Sequence, residues 1–133
     1  MTLLVPNNGE EDAMKYLLNF SAAENVVLRL YSNNVTPSET DVAATYTETD
    51  FAGYAAVTLT GASWVITPGA PCSAAYAKQT FTSNTAQSKT LYGYYLTRLT
   101  SGRIAWAERF SDAPITITNN LDKVDVTPTI TAD

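Results

Sequence analysis

Threonine at alternate positions is the feature that most restricts how this chain can fold. The sequence contains 20 threonines, and several flank a single apolar residue, as in TLT (58–60), TFT (80–82) and TIT (116–118). Threonine is β-branched and polar, which suits the solvated face of a strand whose other face is buried. The pattern therefore predicts half-solvated antiparallel sheets.

Turn-forming residues separate roughly eight short strands of this kind. LYGYYLT (91–97) and RIAWAERF (103–110) predict one hairpin, and PITIT (114–118) and KVDVTPTI (123–130) predict a second. Short strands with closely spaced turns are typical of all-β sandwiches. We therefore expect an all-β fold, a single-domain antiparallel β-sandwich over residues 1–133 of jelly-roll or immunoglobulin-like type.

The first hairpin carries a dense group of aromatic residues. Period-two alternation places Tyr94 and Tyr95 on opposite faces of its first strand, and Ile104, Trp106 and Glu108 on one face of its second. One face of each strand must line the core, so the aromatic residues left on the other face are candidates for contact with a neighbouring subunit. Among apolar neighbours, Glu108 needs a buried partner, a subunit contact or access to solvent.

One short helix is predicted near the start of the chain. The segment NNGEEDAMKYLLNF (7–20) predicts a helix over about residues 9–19. Asn7 or Asn8 is expected to cap its first turn, where the acidic residues that follow suit the helix dipole. Three apolar residues share one face and are expected to pack on the sheet: Met14, Leu17 and Leu18.

Composition argues against several functions. The net charge is −5 and the eight basic residues are scattered, whereas nucleic-acid binding needs clustered Lys and Arg. There is no histidine, the commonest general base and metal ligand. Cys72 is the one cysteine, and no run of 18 apolar residues indicates a membrane span. We expect a protein that is not an enzyme and has no catalytic, cofactor or metal site, no nucleic-acid partner and no membrane partner.

Acidic residues in loops and at one strand end are the remaining candidates for chemistry. A pair of them could serve glycoside hydrolysis, and clustered ones could bind calcium. SETD (38–41) and ETD (48–50) nevertheless lack the glycine and the spacing of a recognised calcium loop. The carboxylates concerned are Glu39, Asp41, Glu48, Asp50, Glu108 and Asp112. The pattern favours an ordinary solvated role for them.

Several segments together resemble a family of small virion proteins of tailed bacteriophages. They are LRLYSNNVTPSETD (28–41), GYAAVTLTGASW (53–64), YGYYLT (92–97), WAERFSDAPI (106–115) and VTPTITAD (126–133). The resemblance includes the opening LLVPNNGE (3–10) and spans nearly the whole chain. It implies a non-enzymatic structural protein, first of all a capsid decoration or cement protein that stabilises the assembled head. The alternative placement is a tail or fibre component.

The resemblance also implies partners and a location. The expected partners are the major capsid protein or other virion proteins, within a virion assembled in the host cytoplasm, and the expected state is a homo-oligomer, as a trimer. An aromatic-rich carbohydrate- or receptor-binding module is a further alternative. The residues expected to make the contacts are Leu3, Leu4, Val5, Pro6, Asn7, Asn8, Tyr92, Tyr94, Tyr95 and Arg109.

Overall fold

The strands and the helix follow one another closely along the chain. A computed structural model describes the backbone of residues 3–132 and the side chains of residues 4–132. One α-helix, α1, spans Asn7–Leu17, and short 3-10 turns lie at Ala43–Thr45 and Gly61–Ser63. The strands are β1 (Leu3–Leu4), β2 (Val26–Tyr31), β3 (Val57–Leu59), β4 (Val65–Thr67), β5 (Cys72–Ala75), β6 (Gln79–Thr82), β7 (Lys89–Leu91), β8 (Gly93–Arg98), β9 (Ile104–Arg109), β10 (Ile115–Ile117), β11 (Lys123–Val126) and β12 (Thr129–Ala132).

The described strands pair antiparallel and pack in layers. Five of them form a sheet in the order β1-β9-β8-β2-β3, and the others form the pairs β7–β10 and β6–β11 and the three-stranded sheet β12-β5-β4. One face of the five-stranded sheet packs on side chains from those smaller sheets. The architecture confirms the predicted all-β sandwich with one short helix. No helix within residues 3–132 has the length and hydropathy needed to cross a membrane.

The main core lies between these layers. Each large apolar side chain removed from water stabilises the fold by about 1.5–3 kcal/mol, and aromatic pairs such as Trp64 against Trp106 fill the space between the sheets. The buried members of this core are Val26, Leu28, Leu30, Phe51, Leu59, Phe81, Leu91, Tyr94, Leu96, Ala105, Trp106, Phe110, Ile117, Val124 and Val126.

The first predicted hairpin is confirmed and the second is wrong. β8 and β9 pair across the turn at 99–103, as the alternation predicted. β10 pairs with β7 instead of β11, and β11 pairs with β6. Backbone hydrogen bonds between 83–87 and 118–122 join the two pairs, so residues 79–91 and 115–126 form one interrupted ladder. Each strand thereby gains a distant partner that its own turn could not supply.

A β-bulge in β9 changes the faces of the first hairpin. Leu96 lies opposite Trp106 while Thr97 lies opposite Ile104, so Ala105 is the extra residue. Ala105 and Trp106 both enter the main core, whereas Ile104 packs on the other side of the sheet. The expectation that Ile104 and Trp106 share a face is therefore wrong.

A second, smaller cluster covers that other side of the sheet. Its buried members are Tyr31, Tyr46, Tyr95, Ile104 and Ala107. The rings of Tyr46 and Tyr95 stack with centroids 5.0 Å apart. Tyr46 belongs to the connection after β2, so the loop that contains it closes over the sheet.

Gly93 is fixed by the close approach of two neighbours beneath this cluster. A Cβ at Gly93 would lie 2.2 Å from the carbonyl oxygen of Glu108 and 2.5 Å from the hydroxyl of Tyr31. Tyr31 is fully buried, and its ring packs against that of Tyr46 with the centroids 4.9 Å apart.

We expect Gly93→Ala to lower the free energy of unfolding by about 1–3 kcal/mol, because overpacking forces the sheet or Tyr31 to shift. Gly61→Ala is the matched control, since a Cβ there meets nothing closer than 3.6 Å. Denaturant unfolding of both variants measures the effect. Equal stability of the two variants would contradict the close packing of Glu108 and Tyr31 on Gly93.

Candidate functional site

Helix α1 turns its apolar residues toward solvent. Met14 is 56% exposed, Leu17 79% and Leu18 70%. The expectation that these three residues pack on the sheet is therefore wrong. The predicted helix exists but begins two residues earlier, at Asn7, and ends at Leu17.

The first turn of α1 lies directly on β9. A Cβ at Gly9 would lie only 2.1 Å from the carbonyl oxygen of Ala105, so the helix backbone touches the strand where no larger residue fits. Pro6 occupies the N-cap position, and its carbonyl accepts from the N–H groups of Gly9 and Glu10. The expected side-chain cap from Asn7 or Asn8 is wrong.

Asp12, one turn further on, is buried against the same hairpin. It is 4% exposed, and the Arg103 Nε donates to its carboxylate with Nε–Oδ1 and Nε–Oδ2 distances of 3.1 and 3.2 Å. The Nε of Arg98 lies 3.7 Å from Asp12 Oδ2, and the Arg98 guanidinium also stacks on the ring of Tyr16. A buried carboxylate between two guanidinium groups fixes the rotation of the helix about its axis, because turning the helix would leave these charges unpaired.

The end of α1 adds a fourth apolar side chain to the exposed face. Asn19 adopts a left-handed conformation with φ of 54°, which asparagine tolerates better than most residues. The N–H of Phe20 donates to the carbonyl of Lys15, and that of Asn19 donates to Tyr16, so the helix ends in a Schellman motif. This motif turns Phe20, 78% exposed, back toward the helix, where it lines a shallow depression with Met14 and Leu18.

Met14, Leu17, Leu18 and Phe20 are hereafter called the apolar face. Contiguous exposed apolar side chains on a folded domain mark interaction sites far more often than single ones do. Their neighbours are charged: Glu11 bonds Lys15 at 2.5 Å and Arg103 at 2.7 Å. These hydrogen bonds, that of Lys15 first, hold the pKa of Glu11 below its usual value.

The predicted N-terminal contact residues mostly serve the fold. Leu3 and Leu4 form β1 opposite Glu108 and Ala107 at the edge of the five-stranded sheet. The next two residues also contribute to the fold. Val5 packs against the main core, and Pro6 is fully buried. The side chain of Leu3 lies outside the described residues. In this segment Asn7 is exposed and Asn8 half-buried.

Two of the three tyrosines predicted as contacts are buried. Tyr94 is 3% exposed and donates to the carboxylate of Glu108, while Tyr95 is 4% exposed in the second cluster. The expectation that one face of β8, carrying either Tyr95 or Tyr94, stays on the surface is wrong, because both faces of β8 are covered. The bond from Tyr94 gives Glu108 its buried partner.

Tyr92 and Arg109 hold a loop in place. Tyr92 is half-buried, and the Arg109 guanidinium lies 5.1 Å from its ring centre. Arg109 also donates to the carbonyl of Val35 at 2.9 Å and to the side-chain oxygen of Asn34 at 2.8 Å. Contacts within the chain therefore explain where both side chains lie.

Three of the loop carboxylates, Asp41, Glu48 and Asp50, are likewise engaged within the fold, the last by an ion pair with Lys89. Glu48 accepts from Arg29 and from the hydroxyl of Tyr54, both at 2.7 Å. Asp41 accepts from the hydroxyl of Tyr46 and from the backbone N–H of Ser38. In the part of the chain that the structure describes, no cluster of three or more Asp, Glu, Cys or His side chains is arranged to hold a metal ion.

Sequence reasoning missed Gly9, Asp12 and Asn19, the residues that position the apolar face. A signal was present, because at 100° per residue Gly9 and Asp12 fall on the side of the helix opposite Met14. The spacing of polar and apolar residues indicates that the helix has two different faces. It does not indicate which one meets the sheet.

Comparisons with known proteins identify no relative of this chain. The chain matches no profile of a known protein family. It likewise matches no curated protein sequence and no solved structure.

The buried tyrosines predict loss of stability at alkaline pH. Burial raises the pKa of Tyr31 and of Tyr95 to about 12 from the usual 10.0. Burial, and then hydrogen bonds to Asp41, Glu48 and Glu108, also raise the pKa of Tyr46, Tyr54 and Tyr94. Since the folded state holds these protons more tightly, their contribution is complete below pH 10 and is lost as pH rises through about 12.

Absorbance of tyrosinate during a pH titration measures this effect. We expect these tyrosines to ionise together with unfolding, while in urea all tyrosines ionise near the usual value. Reversible ionisation of every tyrosine near pH 10 in a protein that stays folded would contradict the burial of their hydroxyls.

Removing the charge of Asp12 tests how α1 is held. We expect Asp12→Asn to lower the free energy of unfolding by about 2–3 kcal/mol, because two guanidinium groups lose a buried carboxylate. Glu11→Gln is the control and should leave stability nearly unchanged, because its ion pairs are exposed. Equal unfolding midpoints for the two variants would show that Asp12 does not anchor the helix.

Proposed function

We propose that this chain is a non-enzymatic structural protein of a tailed-bacteriophage virion, a decoration or cement protein that docks on the assembled head through the apolar face. The observation that carries the proposal is the exposure of Met14, Leu17, Leu18 and Phe20 on a helix anchored to a well-packed β body. The resemblance of the sequence to small virion proteins supports the choice of partner.

The mechanism is stabilisation by binding. A protein that binds the assembled shell better than the free subunits shifts the equilibrium toward the shell. The helix is held on the β8–β9 hairpin by Gly9 and Asp12 before any contact with the head, so little conformational entropy is lost when it docks. The β-sandwich then lies over the shell, and the same contact is repeated at every equivalent site.

The size of the apolar face favours repeated weak contacts. Four side chains of this kind offer on the order of 400 Å², about half of the roughly 800 Å² per partner of a stable interface. A single contact through this face is therefore weak. Linking several copies raises the overall affinity without new contacts. A homo-oligomer, predicted as a trimer, would supply such linked copies.

The aromatic residues give little support to the carbohydrate-binding alternative. A sugar platform needs Tyr or Trp rings that lie open to solvent. Every tyrosine and tryptophan of this chain is buried or half-buried, and Phe20 is the exposed aromatic among the described residues.

Binding to virion parts that lack the protein tests the proposal. Heads and tails of the phage that encodes the chain, produced with its gene disrupted, are incubated with purified protein and sedimented. We expect saturable binding to heads, reduced about tenfold or more in the double variant Leu17→Gln, Leu18→Gln, because two apolar anchors are lost.

Leu121→Asn is the matched control. Leu121 is also about two-thirds exposed, lies in the turn between β10 and β11 and has a φ of 69° that asparagine tolerates, so this variant should bind like the wild type. Binding to tails alone would favour the tail or fibre placement. Absence of binding to either part, or full binding by the double variant, would refute docking through the apolar face.

A further inference from the structure

We infer that the surface receiving α1 is an apolar groove of a different protein, with Lys or Arg side chains at the end that receives the first turn of the helix. The inference rests on the proposed function and names the chemistry of its partner. Its first support is the spacing of the anchors. Met14, Leu17 and Leu18 stand at i, i+3 and i+4, the spacing with which a helix lies in an apolar groove.

The charges along the exposed side of α1 are unequal. Glu10 is exposed one turn before Met14, and among residues 4–132 no side chain pairs with its carboxylate. The neighbouring Glu11 is already neutralised by Lys15 and Arg103. Glu10 therefore presents a negative charge without a side-chain partner beside the apolar face, on a chain whose net charge is −5.

A second copy of this chain does not match that pattern. Antiparallel pairing of two α1 helices would place Glu10 of one copy opposite residues 16–25 of the other. That segment contains no Lys or Arg and includes Glu24. The cations near α1 are already engaged, since Lys15 and Arg103 bond Glu11 and the Arg98 guanidinium stacks on Tyr16.

The area that two apolar faces could bury also argues against a second copy as the partner. Two apolar faces together would bury on the order of 800 Å², the upper limit of ordinary crystal contacts and below the roughly 1,000 Å² of a specific interface. A groove that encloses the helix buries its flanks as well. Basic residues at one end of that groove would pair with Glu10 and fix the direction in which the helix lies.

Charge substitution at Glu10 tests the inference on the same heads lacking the protein. We expect Glu10→Lys to weaken binding about tenfold, Glu10→Gln to weaken it less, and the salt dependence of binding to fall in both. Asp112→Lys is the matched control, because it makes the same charge change at an exposed residue of the turn between β9 and β10, outside α1, and should bind like the wild type.

The outcomes separate this inference from the proposed function. If Glu10→Lys binds as tightly as the wild type while Leu17→Gln, Leu18→Gln does not bind, docking through the apolar face stands and the basic groove is wrong. If sedimentation equilibrium shows a dimer of the free protein that Leu17→Gln, Leu18→Gln abolishes, the face is occupied by a second copy and the inference is overturned. If the wild type does not bind heads or tails, both proposals fail.

Discussion

The contact between α1 and the β8–β9 hairpin decides which surface this protein shows to its surroundings. Gly9 lets the helix backbone touch the carbonyl of Ala105, and Asp12 lies buried between Arg98 and Arg103. Burying a carboxylate is costly unless it is paired, so the helix cannot rotate without breaking the arrangement. The polar side of the helix is thereby directed inward and its apolar side outward. That reversal of the usual amphipathic pattern is the structural basis of the proposed docking surface.

The same hairpin links the helix to the core. The bulge at Ala105 lets the two strands bury Trp106 on one face and Ile104 on the other, so both faces of the five-stranded sheet are covered. Buried tyrosine hydroxyls find carboxylate partners, as Tyr94 does at Glu108 and Tyr54 at Glu48. Many of the acidic and aromatic residues that a sequence offers as functional candidates are in this way consumed by the fold. Among the side chains that remain exposed, those of the apolar face stand together on one helix and its end.

Local patterns predicted the elements that depend on neighbours in the chain. The all-β class, the short helix and the β8–β9 hairpin follow from alternation and turn residues. The ladder between 79–91 and 115–126 could not be predicted in this way, because its partners are distant and the turn at 118–122 fits a local hairpin equally well. The bulge at Ala105 leaves no mark in the alternation. The outward face of α1 was missed because the sequence separates two helix sides but does not show which one Arg98 and Arg103 attract.

Side-chain labelling of the free protein tests the central claim, that the apolar face is open to solvent. Carbene footprinting read by mass spectrometry compares the segment 14–20 with β2, whose Leu28 and Leu30 are fully buried, and with the exposed Val65 and Ile66 of β4. The account predicts that Met14, Leu17, Leu18 and Phe20 label as strongly as Val65 and Ile66. Labelling of the 14–20 segment as weak as that of β2 would contradict it.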